Sequence, residues 1–163
     1  MYLTTAYPLH FGINAADSGD VLIFEIAVSA LDAEKLFADE DSLAHAQRHS
    51  GSHLSKATLT ARFRDVAHEY PALPSLESMG TCAYQGAIPA DAVTRIARIP
   101  ESALGLLVMA GIDPLVSPLN YAYFKNEYEQ SVRWLFGDED NLLMNPRAVR
   151  PAIDVTRYQP DHV

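Results

Sequence analysis

The sequence predicts a soluble α+β domain in which a small mixed or antiparallel sheet packs with helices. Three observations lead there. Val21 to Val28 is nearly all apolar and rich in β-branched residues, the composition of a buried strand. Residues 118–136 carry an apolar stripe at helical spacing between a proline and a glycine, the signature of a capped helix. The chain has 163 residues and 48% apolar content, enough for one core, so a second independent domain is not expected. Residues 1–140 are therefore expected to form the domain, and residues 141–163 an irregular tail.

In chain order, Tyr2 to Thr5 reads as a short strand and Pro8 to Ala16 as an apolar helix. Gly19-Asp20 makes a turn into the strand Val21–Val28, whose two-sided apolar character places it at the centre of the sheet. Ser29 to Phe37 suggests a turn and a short helix, followed by the acidic cluster Asp39-Glu40-Asp41. Leu43 to His53 is polar and contains Gly51, so an exposed excursion is expected. Leu59, Phe63, Val66 and Tyr70 recur at spacings of four, three and four, which predicts one helix ended by Pro71 and Pro74.

Gly80 to Gly86 reads as a strand, Ile88 to Val93 as a proline-initiated helical turn, and Arg95 to Ile99 as a second strand. A short apolar helix covers Ala103 to Ala110, before Gly111. In the helix from Pro118 to Phe136, Ser117 can cap the start and Gly137 the end. Tyr121, Phe124, Tyr128, Val132 and Leu135 form its apolar stripe. Tyr123 and Trp134 lie off the stripe and are candidate interface anchors, because such aromatics often dominate protein contacts.

The balance of 21 acidic against 12 basic residues gives a net charge of −9. Such a chain is a poor phosphate neutraliser, so no nucleic-acid ligand is expected. The charge suits docking onto a protein with a basic surface, and Asp39, Glu40 and Asp41 read as a solvated turn that offers it. The single cysteine, Cys82, excludes an intrachain disulfide and points to a reducing, cytoplasmic setting. No run approaches the roughly 18 apolar residues that a bilayer requires, and no export signal opens the chain, so neither membrane insertion nor export is expected.

His45, His49 and His53 recur every four residues behind the acidic cluster, a spacing that on one continuous helix could hold a metal. Ser50-Gly51-Ser52 interrupts that helix, so no metal site is expected. Cys82 sits in a predicted strand and reads as a small buried hydrophobe. The chain has neither a Gly-x-Ser-x-Gly elbow nor a phosphate-cradling glycine loop.

Four short segments follow in order: Tyr2-Leu3-Thr4-Thr5 before an apolar helix, Gly19-Asp20 before the strand Val21–Val28, Leu31-Asp32 with Asp39-Glu40-Asp41, and Gly86-Ala87-Ile88-Pro89-Ala90-Asp91-Ala92-Val93. Their order resembles part of the ADP-ribosyltransferase-like superfamily, including its RNA 2′-phosphotransferase and ADP-ribosyl toxin branches, over residues 1–99. The resemblance implies a nicotinamide pocket lined by Tyr2, whose ring would stack on the cofactor, with His10 as a second candidate pocket residue. The family's preceding strand, which brings a His or Arg to grip NAD, has no counterpart before Met1. Near residues 86–99 the acids are Glu77 and Asp91, and neither sits in the family's catalytic context. The resemblance thus implies a domain shortened at its amino end that needs no cofactor and acts through protein contacts. An acidic inhibitor or accessory factor of phage or mobile-element origin fits that description. The alternative it implies is an NAD-dependent ADP-ribosyltransferase or RNA 2′-phosphotransferase-like enzyme.

Overall fold

The computed structural model describes residues 1–6, 8–15, 19–109, 121–143 and 145–159, with the backbone alone for residues 13–15, 108, 109 and 121–124. Helices and antiparallel strands are interspersed along the chain, so the α+β class predicted from the sequence is the one observed. The chain clusters into two compact units, each built on a three-stranded sheet. The first contains Met1–Thr5, Asp32–Ala87 and the described part of Pro118–Tyr123; the second contains the described parts of Ala6–Leu31, Ile88–Ser117 and Phe124–Val163.

In the first unit, β1 (Tyr2–Thr4), β3 (Leu36–Phe37) and β4 (Thr81–Tyr84) form a sheet in the order β1-β4-β3. Tyr2 faces Ala83, Leu3 faces Cys82 and Thr4 faces Thr81 across the central strand. The helices of this unit are α2 (Glu40–His49), α3 (Lys56–Phe63) and α4 (Ala72–Met79). The expected excursion over residues 43–53 is thus corrected to a helix for most of its length. Gly51 terminates that helix instead of disrupting it: at φ +100° its N–H reaches the Arg48 carbonyl and the Ser52 N–H reaches Gln47, satisfying the last-turn acceptors.

Residues 59–70 likewise divide, into α3 and a 3-10 turn at Ala67–Glu69. Pro71 and Pro74 do not end a helix but open α4, where first-turn N–H groups have no intrahelical acceptor and proline's missing N–H is tolerated. The helix expected within Ser29 to Phe37 is replaced by two 3-10 turns, Val28–Ala30 and Ala33–Lys35, running into β3.

In the second unit, β2 (Val21–Ile26), β5 (Val93–Ile99) and β6 (Asp154–Arg157) pair in the order β2-β5-β6. Two expectations are corrected here. The apolar β2 is an outer strand of this sheet and β5 is the central one. Residues 154–157, placed in an irregular tail, supply the third strand, in register Arg95 with Arg157 through Arg98 with Asp154. The helices are α1 (Pro8–Ala15), α5 (Glu101–Met109) and α6 (Tyr121–Phe136). Ala16, Ala110, Gly111, Ser117 and Pro118, named in the predicted helix ends, lie outside the described residues. Gly137, at φ +80°, closes α6 as expected, with its N–H on the Trp134 carbonyl.

One apolar cluster fills this second unit: Leu9, Val21, Ile23, Ala97, Ile99, Leu107, Trp134, Leu135, Phe136, Leu142 and Ile153 are all buried. Among the described residues, no helix is long and apolar enough to cross a membrane.

Candidate functional site

Tyr2 is the one position that the family resemblance carries over, and the structure sets it beside Glu40 and Asp39 at the start of α2. Asp39 is the N-cap of that helix, and its carboxylate accepts the Asp41 N–H at 2.8 Å. Glu40 follows in the first turn, where negative charge is favoured by the exposed N–H groups, and it accepts the Tyr2 phenol. Register thus links the edge strand β1 to the start of α2 through side chains 38 residues apart. Tyr2 keeps 53% of its surface exposed.

The acids are less available than the sequence suggests. Asp39 and Glu40 are buried, which corrects the expected solvated turn. The Asp39 N–H donates to Ser75 Oγ at 3.1 Å, and the Ser75 hydroxyl in turn donates to the Thr81 carbonyl at 2.7 Å, so α4 locks the helix start onto β4. Asp41 accepts Thr60 Oγ1 at 2.7 Å and Lys56 Nζ at 2.9 Å, tying α2 to α3.

Burial raises the Asp39 carboxyl above its ordinary range, aided by the charges of Glu40 and Asp41; the Asp41 N–H and the nearby Thr81 hydroxyl oppose the rise. That hydroxyl is buried and makes no hydrogen bond of standard geometry. Burial works against Asp41 too, yet Thr60, Lys56 and Arg64 hold it below its ordinary value. The Tyr2 phenol is pushed well above its usual range, first by burial and then by its bond to Glu40 and the charges of Glu40 and Asp39, against the pull of Arg64. At neutral pH it is a donor and not a base.

Cys82, beneath this cluster on β4, is buried, and desolvation together with the Asp39 charge pushes its thiol up to about 11. It stays protonated at neutral pH and is a poor nucleophile, which agrees with a packing role.

The other candidates fall elsewhere. His10 lies on α1 in the second unit, half-buried, with its ring edge-to-face with Phe11 at 5.3 Å between centroids. Trp134 is fully buried in the apolar cluster, so its assignment as an interface anchor is corrected: a side chain with no exposed surface cannot meet a partner without unfolding its surroundings. The Tyr123 side chain lies outside the described residues. His45 and His49 share a face of α2 with ring centroids 4.3 Å apart, while His53 lies beyond the helix end. Among the described residues, no group of three or more His, Cys, Asp or Glu side chains is placed to hold a metal.

Sequence reasoning missed Ser75 and Thr81 altogether, and it treated Glu40 as a surface charge. An available signal was Asp39 followed by two acids, the composition of a capped helix start. Searches against protein-family models, curated proteins and solved structures yield no match to this chain.

Proposed function

We propose that this chain is an ADP-ribosyltransferase-like domain that works in the cytoplasm through contact with a basic-surfaced protein, and not by turning over NAD. The observation that supports this reading most is the fate of the acids at the start of α2. Cleaving the nicotinamide bond calls for a carboxylate poised where positive charge develops on the ribose, and preorganised charge of that kind is usually the largest part of such catalysis. Asp39 caps and anchors α2, Glu40 holds the Tyr2 phenol, and Asp41 binds Thr60 and Lys56. Each is committed to the fold.

The net charge of −9 supplies the attraction to a basic partner, and an inhibitor or accessory factor of phage or mobile-element origin would use it in this way. The competing enzyme reading draws on one observation, the half-exposed Tyr2 ring with the positive charge of Arg64 within electrostatic reach. Calorimetric titration separates the two. No heat with NAD, alongside a specific protein partner released at high salt, is the expected result; micromolar NAD binding with nicotinamide release would overturn it.

A further inference from the structure

The strand β2 has the composition of a strand covered on both faces, and the second unit covers only one. Val21 and Ile23 point into the apolar cluster. Leu22 and Phe24 point the other way and are each 51% exposed, and Val28, just past the strand, is 69% exposed. Cross-strand register defines what surrounds them. Leu22 stands beside Arg98, which stands beside Asp154; Phe24 stands beside Ile96, which stands beside Thr156. A water-facing sheet surface ordinarily alternates to polar residues, so two adjacent large apolar side chains on an outer strand are a surface left uncovered.

Charge identifies the kind of molecule that covers it. Arg98 is held by Asp20 and offers little free positive charge. Asp154 lies on the same face, Glu101 follows the end of β5 with its N–H on Asp20, and Asp91 sits in the turn packed against residues 28–30. All three acids are exposed. Exposed acids therefore stand near both ends of the apolar stripe and on the strand β6 beyond it. A second copy of this chain would set those acids against themselves across a two-fold axis, which like-charge repulsion disfavours.

We propose that the outer face of the β2-β5-β6 sheet is the docking surface for a protein segment that presents aliphatic residues between lysines or arginines. The proposal rests on the interaction reading of the function and names the surface that serves it.

A labelled eight-residue peptide of alternating Leu and Lys, compared with its Leu-Glu counterpart by fluorescence anisotropy, provides the test. The Leu-Lys peptide should bind and the Leu-Glu peptide should not. Leu22→Thr with Phe24→Thr, which keeps strand propensity at exposed positions, should weaken binding about tenfold or more. Asp91→Asn, Glu101→Gln and Asp154→Asn together should remove most of the salt dependence. Circular dichroism and urea midpoints confirm that both variants remain folded. Equal binding of the two peptides, or binding indifferent to the threonine variant, overturns the proposal. So does self-association in sedimentation that the threonine variant abolishes, because the face would then belong to a second copy. Turnover of NAD would defeat the functional reading without altering the peptide result, whereas failure of the peptide alone would remove only this surface.

Discussion

The two units keep different things inside. The interior of the second is hydrocarbon, with Trp134, Ile99, Leu107 and Leu135 almost fully removed from water. The first buries Asp39, Glu40, Ser42, Ser75 and Thr81 alongside Leu59, Met79, Tyr84 and small residues such as Ala38, Ala44 and Cys82. An apolar core gains free energy in proportion to the area it hides and is insensitive to pH. A polar interior gains little net free energy from each bond but loses much when one is left unmade, so it favours one particular arrangement of its elements.

The largest expected effect breaks the apolar side of the contrast. Ile23→Asp places an unpaired carboxylate in the cluster and should cost about 3–5 kcal/mol, while Leu22→Asp, one residue away on the open face, should cost under about 1 kcal/mol. Urea denaturation measures both. Similar losses for the two would mean that β2 does not have one inner and one outer face.

A smaller loss should come from the polar side. Ser75→Ala leaves the buried Asp39 N–H without its acceptor and the Thr81 carbonyl without its donor, a cost of about 1–3 kcal/mol by the same measurement. A neutral result would show that these bonds do not organise the first unit.

Acid sharpens the comparison by sign. In the second unit Arg95 holds Glu25 and Asp138 below their ordinary values of 4.5 and 3.8. Their contribution is fully present above those values and is lost as pH falls through the lowered ones. Arg95→Gln should therefore lose about 1 kcal/mol at neutral pH, modest because the groups are partly exposed, and should show a shallower acid decline. Asp39 behaves in the opposite sense. Its raised carboxyl contributes stability that is present below 3.8 and is lost as pH rises through the folded value. Asp39→Asn keeps a capping oxygen and removes the buried charge, so it should exceed the wild type in urea midpoint at pH 7 and converge with it toward pH 3. Convergence in the other direction would contradict the placement of Asp39.

The smallest effect concerns His45, held below 6.5 by burial first and then by the charges of His49, Lys56 and Arg48. Stability from its neutral form is present above 6.5 and lost as pH falls through the lowered value. His45→Gln should flatten the urea midpoint slightly between pH 7 and 5, and an unchanged slope would show that the helix face leaves His45 fully hydrated.

The sequence revealed these features unevenly, for physical reasons. The strand Val21–Ile26 was legible because its composition is strong, but its place in the sheet was not. Two-sided apolar character normally marks a central strand, and here one face is simply open. The strand Asp154–Arg157 was hidden because Val155 is its one apolar residue, and pairing with β5 supplies what composition lacks. Gly51, Pro71 and Pro74 were read as interruptions, although the same backbone properties serve as a helix end and a helix beginning. Trp134 was off the predicted stripe, yet three consecutive residues from Trp134 to Phe136 are buried, since the end of α6 is enclosed on more than one side. The bond from Tyr2 to Glu40 had no local trace, because it joins residues that only strand pairing and helix placement bring together.

On the proposed reading, the acids at the start of α2 serve the fold and not NAD chemistry. Nicotinamide release from NAD, followed by chromatography over hours at micromolar protein, tests it most directly. No release above the buffer blank is expected for the wild type, Glu40→Gln or Tyr2→Ala. Sustained release by the wild type that disappears in Glu40→Gln would contradict it and make Glu40 the catalytic carboxylate.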